Sequence, residues 1–305
     1  MTTPRCATEA RVRGDSLIGT AAPARRWLLV EHDGPWLPAA LDSPGFEDGI
    51  GSALQDAAMA VQGRALLIRR PGRRPHRAVR SWAVIDHNGI QQWGSWRDPK
   101  DLLAAADVMR AGPQPPATAR ARSTPPLVLV CAHGRHDVCC AVRGRPVVAA
   151  LSVRWADRTW ECSHIGGDRF APNVLLLPDG AYYGNLDVSS AMSVVEAHLR
   201  GTVTPRYFRG VSTHPPAVQA ALAGVLSSYG PAGLGDVRDA LCERTGDDSF
   251  RVTVIGTGRL PVLVQADVTR RVDPPAKLTC RAEAPSCAYR YSVDVLRIPG
   301  IDDAP

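Results

Sequence analysis

One order of elements occurs twice along this chain, and that repetition limits its fold more than any other feature. In the first half, Trp27-Leu-Leu-Val30 is an apolar run of strand length, and Asp48 to Val61 has the 3.6-residue spacing of a helix. Ala65-Leu-Leu-Ile68, Ser81-Trp-Ala-Val-Ile85 and Ile90-Gln-Gln-Trp93 follow as short strands. Asp98-Pro99 then opens a helix to about Met109, with Asp as cap and Pro at the first helical position. In the second half, Leu127-Val-Leu-Val130 is the strand and Cys140 to Val153 the helix, with Gly144 and Pro146 weakening its start. Thr159-Trp-Glu-Cys162, Asn173-Val-Leu-Leu-Leu177 and Ala181-Tyr-Tyr183 read as strands, and Asp187 to Leu199 as a capped amphipathic helix. Both halves read β-α-β-β-β-α. Their opening strands align as Leu-Leu-Val-Glu-His-Asp-Gly against Val-Leu-Val-Cys-Ala-His-Gly, and only the second copy keeps cysteines at the loop.

Two Pro-rich joints divide the chain. Ala111 to Pro126 is rich in Pro, Ala and Arg and reads as a linker, and Thr204-Pro205 with Thr213-His-Pro-Pro216 precedes a run of helical character. The expected domains are 1–112 without the loop cysteines, 123–204 carrying them, and 205–305. In the last, Ala217 to Ser227 and Asp236 to Arg244 read as helices. Phe250 to Ile255, Val262 to Val268 and Tyr289 to Ile298 alternate like antiparallel strands with one wet face. The sum is a small α+β unit, favoured over a winged helix.

With 305 residues the chain has ample core for two or three domains. Its net charge of +6 rests almost wholly on arginine, since Lys100 and Lys277 are the only lysines, so the charge argues little for nucleic acid. No run approaches 18 apolar residues and Met1 to Arg13 is charged throughout, so the cytoplasm is the expected location, without a membrane span. Eight cysteines in such a compartment point to metal, redox work or buried thiols rather than disulfides.

The chemistry concentrates in Cys131-Ala-His-Gly-Arg-His-Asp-Val-Cys139-Cys140 and in Cys162-Ser-His164-Ile-Gly-Gly-Asp168. Cys131 ends a strand, and Cys139 and Cys140 open a helix, where the dipole and free N–H groups favour thiolates. The adjacent cysteines point in different directions, so one is the ligand and the other a packed thiol. In an extended strand Cys162 and His164 face one side, and Gly166-Gly167 permits a turn that brings Asp168 back. Together Cys131, Cys140, Cys162, His164 and Asp168 form a candidate metal or cluster site. Cys280-x6-Cys287 has no histidine nearby, Trp82, Trp93 and Trp96 read as core, and Gly256-Thr-Gly258 as a hairpin turn.

Cys131-x-His-Gly-x-x-Asp137-x-x-Cys140, Ser163-His164-Ile-Gly-Gly-Asp168-Arg-Phe-Ala-x-Asn173 and Pro178-x-Gly-x-x-Tyr183-Gly184 resemble the motifs of the sucrase/ferredoxin-like family. Arg13-Gly-Asp15-x-x-x-Gly-Thr20-Ala21 and Arg26 to His32 resemble its bacterial members. The resemblance implies an α/β fold of duplicated thioredoxin-like β-α-β-β-β-α units followed by the small α+β domain. It also implies one [2Fe-2S] cluster and a role as electron carrier for a redox partner protein, with Cys131, Cys140 and His164 as ligands. The family's eukaryotic branch has His where this chain has Asp168, so either the fourth ligand is Asp168 or Cys162, with softness favouring Cys162, or the cluster is lost in this branch. Arg135, His136 and Arg169 would fringe the cluster and meet an acidic reductase. The sucrase half of the name finds no support, because no acidic pair is marked as a glycosidase couple. The rival readings are a thiol redox enzyme centred on Cys140, and a zinc module without turnover.

Overall fold

The apolar runs at 27–30 and 127–130 become the inner strands of two similar groups. In the computed structural model, which describes residues 5–46, 49–72, 78–115 and 125–296, β1 (Arg26–Glu31) pairs in parallel with β2 (Arg64–Arg69) across helix α2 (Ile50–Met59). It pairs on its other side, antiparallel, with β3 (Arg80–Asp86), which pairs with β4 (Gln91–Trp96) before helix α3 (Leu102–Ala111). The second group repeats this. β5 (Leu127–Cys131) is parallel to β6 (Thr159–Cys162) across helix α4 (Val138–Arg154) and antiparallel to β7 (Val174–Leu177). β8 (Ala181–Tyr183) pairs with β7 and leads to helix α5 (Val188–Leu199), capped by Asp187.

The groups meet edge to edge where β2 pairs antiparallel with β6, Ile68 opposite Cys162 and Arg69 opposite Glu161. With β9 (Phe208–Val211) beside β8, the result is one nine-stranded sheet in the order β4-β3-β1-β2-β6-β5-β7-β8-β9. At the seam, Arg69 Nε lies 2.6 Å from Glu161 Oε2, with both side chains nearly buried. Side chains alternate along the inner strands as the pleat requires. Leu28 and Val30 pack with α2 and α3, and Val128 and Val130 with α4 and α5. Trp27, Leu29, Leu129, Cys131, Trp160 and Cys162 share a third cluster.

Helix α6 (Pro216–Ser228) links β9 to a second, four-stranded antiparallel sheet of β10 (Val237–Arg244), β11 (Ser249–Gly256), β12 (Leu263–Val272) and β13 (Tyr289–Leu296). Val252, Val254, Val264, Ala266 and Val268 face α6, and a Cβ on Gly224 would stand 2.7 Å from Val293, which shows how closely the helix sits. The expected helix over Asp236–Arg244 is corrected here: this segment is the edge strand β10. Its Ala, Leu, Glu and Arg suit a helix, but pairing with β11 from Arg244 opposite Phe250 to Val237 opposite Gly256 overrides that preference. Two elements went unread in the sequence, the short α1 (Cys6–Arg13) and β9, whose Arg209 and Gly210 interrupt its apolar run. The expected helix start at Asp48, the middle of the linker at 116–124 and the end of the last strand at 297–298 lie outside the described residues.

Candidate metal centre

Two loops at the ends of adjacent parallel strands, β5 and β6, converge. Cys131 is the last residue of β5, and Asp137 caps α4 by accepting the Cys139 N–H at 2.7 Å. The second turn of α4 is pressed onto the strand end: a Cβ on Gly144 would stand 2.1 Å from the Cys131 carbonyl oxygen. Glycine at this place lets Cys140 reach Cys131. From β6 the chain continues through His164 to Gly166 and Gly167, both with φ in the left-handed region (95° and 78°), and the turn returns Asp168 four residues on. Arg209, 1% exposed, fixes this turn. It donates to Gly166 O and Asn173 Oδ1, each at 2.9 Å, and to the Thr20 hydroxyl at 3.1 Å.

The Cys131 and Cys140 sulfurs and a His164 ring nitrogen all lie within 4.8 Å of one another. Asp168 bridges them: its Oδ1 is 3.2 Å from Cys140 Sγ and 3.1 Å from His164 Nδ1. His136 stacks on His164 with ring centroids 3.7 Å apart and approaches Asp168 Oδ2 at 3.7 Å. Cys162 stands beside Cys131 in register, but its sulfur is not part of this mutually close set. The structure therefore brings together four of the five candidates and leaves Cys162 packed in the core next to them. Arg169 turns away to Asp15, 3.3 Å from its Oδ2, while Arg135 is exposed.

The electrostatics are those of a tightly coupled site. A hydrogen bond from the Cys140 thiol holds Cys131 well below the usual thiol range, and the same bond with burial pushes Cys140 up. Burial alone would lower His164, yet hydrogen bonds with Asp168 and Cys131 raise it to about 9. Burial would raise Asp168, and its contact with His164 instead holds it below the ordinary carboxylate value. Burial pushes the Cys162 thiol up and the His133 and His136 rings down. The thiolate side is sealed, with Cys131 and Cys140 at 1% and 0% exposure, whereas the imidazole side opens to a cavity of about 480 Å³. That cavity is lined by His133, His136, His164 and the 38–42 segment of the first half. Asp168 joins the two thiols and the imidazole through its contacts with Cys140 and His164, which makes a donor set of soft, borderline and hard groups.

The adjacent Cys139 faces a different group. Its sulfur lies 3.5 Å from that of Cys280, which lies 3.5 Å from that of Cys6. This cluster was invisible in the sequence because its members are separated by more than 130 residues. Cys242 and Cys287 are exposed thiols outside both groups.

The sequence model of the family described as sucrase/ferredoxin-like matches residues 17–210, more than half of the chain. A curated relative, the altered inheritance of mitochondria protein 32 of Meyerozyma guilliermondii, is 28% identical over 98 residues, which is 28% of this chain and 35% of that protein. The chain thus spans only about a third of that relative's length. No solved structure matches it. Among the described residues no helix is long and apolar enough to cross a membrane.

Proposed function

The chain belongs to the sucrase/ferredoxin-like family, and from that premise we propose that it is an electron carrier holding one [2Fe-2S] cluster between β5, α4 and the 164–168 turn. The observation that carries this reading is the convergence of Cys131, Cys140 and His164, with Asp168 in contact with two of them. Cys131 and Cys140 would supply the thiolate pair, and His164 with Asp168 the second pair. Asp168 is preferred to Cys162 because it touches both Cys140 and His164, although thiolate is the softer ligand. When bound, such a cluster takes up and returns one electron at a potential set by ligand type, hydrogen bonds and exposure.

The protein's own residues do the rest. The buried cysteine side excludes water, Cys140 sits in the first turn of α4 at the positive end of its dipole, and Arg209 holds the 164–168 turn in place. His164 and His136 face the cavity, so electrons would pass on the imidazole side to a redox partner protein docking over the 38–42 segment. The matching strand order of the two groups supports a duplicated thioredoxin-like architecture in which only the second copy is loaded. A cytoplasmic setting fits the reduced thiols.

Substitution tests the ligand set. In anaerobically purified protein, Cys131→Ser and Cys140→Ser should each abolish the visible absorption, while Cys139→Ser should keep most of it. Loss with Cys139→Ser and retention with Cys140→Ser would refute the assignment.

A further inference from the structure

Adjacent cysteines on a helix point about 100° apart, so Cys139 and Cys140 cannot serve one small centre equally. Cys140 turns to Cys131 and Asp168, and Cys139 turns to Cys6 on α1 and Cys280 in the connection between β12 and β13. Asp137 stands among these three. Its Oδ1 accepts the Cys139 N–H at 2.7 Å, its Oδ2 accepts the Cys280 N–H at 2.6 Å and the Thr279 hydroxyl at 2.8 Å, and the Cys6 thiol lies 3.6 Å from Oδ2. The three sulfurs and a carboxylate oxygen all lie within 4.8 Å of one another. We propose that Cys6, Cys139, Cys280 and Asp137 form a second metal site, holding one zinc ion that is structural and separate from the redox centre.

Three observations favour zinc over a disulfide or mere packing. A disulfide joins two sulfurs at about 2.05 Å and would leave the third thiol over. Here two sulfur separations are 3.5 Å, close to the roughly 3.8 Å between thiolates on one tetrahedral zinc with Zn–S bonds of about 2.3 Å. Three thiolates with one oxygen donor is a closed four-coordinate set, which marks a structural site. The Cys6 N–H already points at the Cys280 sulfur at 3.5 Å, the kind of donor that surrounds metal thiolates.

The segments that supply the sulfurs also need an anchor. Between residues 273 and 288 no residue is buried, and the connection is held by the bridge of Ala276 opposite Ser286 and by hydrogen bonds, those of Thr279 and Cys280 to Asp137 among them. Hydrophobic burial therefore holds little of it. Helix α1 has eight residues, well below the ~12–15 at which a helix persists alone, and besides Cys6 it buries only Ala7 and Ala10. One ion would tie α1, the start of α4 and the second sheet's long connection at a single point. Binding displaces the remaining thiol protons to solvent, with no change of oxidation state at sulfur or zinc.

The test uses the full-length protein purified anaerobically, with zinc measured by plasma mass spectrometry and the redox centre by visible absorption. Zinc should be present at about one per chain, and Cys280→Ala, at the half-exposed member, should cut it at least tenfold while visible absorption stays. Cys131→Ser should do the reverse, losing colour and keeping zinc. This proposal is independent of the cluster reading: colourless protein with one Cys280-dependent zinc would sink the cluster and leave this site standing. As a check that needs no variant, cobalt(II) added to chelator-treated protein should give thiolate-to-cobalt absorption and tetrahedral visible bands. Absence of zinc together with no cobalt signal, zinc unchanged in Cys280→Ala, or a disulfide among Cys6, Cys139 and Cys280 in the purified protein would each overturn it.

Discussion

Replacing Gly144 by Ala sets helix propensity against packing, and the structure decides the sign. In an exposed helix interior the change would stabilise by about 1 kcal/mol. Here the added Cβ would meet the Cys131 carbonyl at 2.1 Å, about 1.3 Å inside the 3.4 Å where ordinary contact begins. The obstacle is strand backbone, so α4 must move away from β5 or tilt. Overpacking of this kind costs about 3 kcal/mol at the upper end of its usual range, and the net expectation is a loss of roughly 2 kcal/mol. With a urea slope of about 2 kcal/mol/M, the unfolding midpoint should fall by about 1 M, read by circular dichroism. Because the displaced carbonyl belongs to a proposed ligand residue, visible absorption per chain should fall with it. Gly235→Ala, where no atom lies within 4 Å of the new Cβ, is the control and should stay within about 0.5 kcal/mol of wild type. An unchanged or raised midpoint in Gly144→Ala would refute the close packing of α4 on the strand end.

Arg209→Met should lower stability by about 3 kcal/mol in the same assay, since hydrogen bonds to a charged group are worth about 1.5–3 kcal/mol each and the carbonyl of Gly166 would be stranded. An unchanged midpoint would show that the turn does not depend on it. At the seam, Glu161→Ala should cost about 3 kcal/mol because it leaves Arg69 nearly buried without its carboxylate. Asp267→Ala, which breaks an exposed pair with Arg251, should cost under about 1 kcal/mol. Equal costs would contradict the burial argument. For the fourth ligand, Cys162→Ala should keep the visible spectrum, Asp168→Ala should alter or abolish it, and Asp168→His should retain a cluster with a shifted spectrum; the opposite pattern of the two alanine variants would return that position to Cys162.

Much of the architecture was readable because it rests on local patterns. Leu28 to Val30 and Val128 to Val130 announce buried strands through continuous apolar runs, and Asp98 and Asp187 announce helix starts through capping. What escaped depends on distant partners. β10 has a helix-like composition and becomes a strand only because β11 offers it an edge. Gly144 read as a flaw in a helix, whereas its missing side chain is what allows α4 to touch β5. At the site, the motif spacing located Cys131, Cys140, His164 and Asp168. Spacing along a strand could not separate Cys162 from Asp168: Cys162 lies in register beside Cys131, and only the return of the turn brings Asp168 against His164. Cys139 read as a spare thiol, since Cys6 and Cys280 lie at opposite ends of the sequence. Arg209 carried no motif, and its role follows from four oxygen acceptors contributed by three separate segments.

Iron and acid-labile sulfide in protein purified without oxygen, with electron paramagnetic resonance before and after reduction, decide whether the chain holds a [2Fe-2S] cluster. About two irons and two sulfides per chain are expected, with no signal when oxidised and a single-electron signal on reduction that Cys131→Ser removes. Protein that carries zinc but no iron or sulfide, even after reconstitution with both, would contradict the cluster reading.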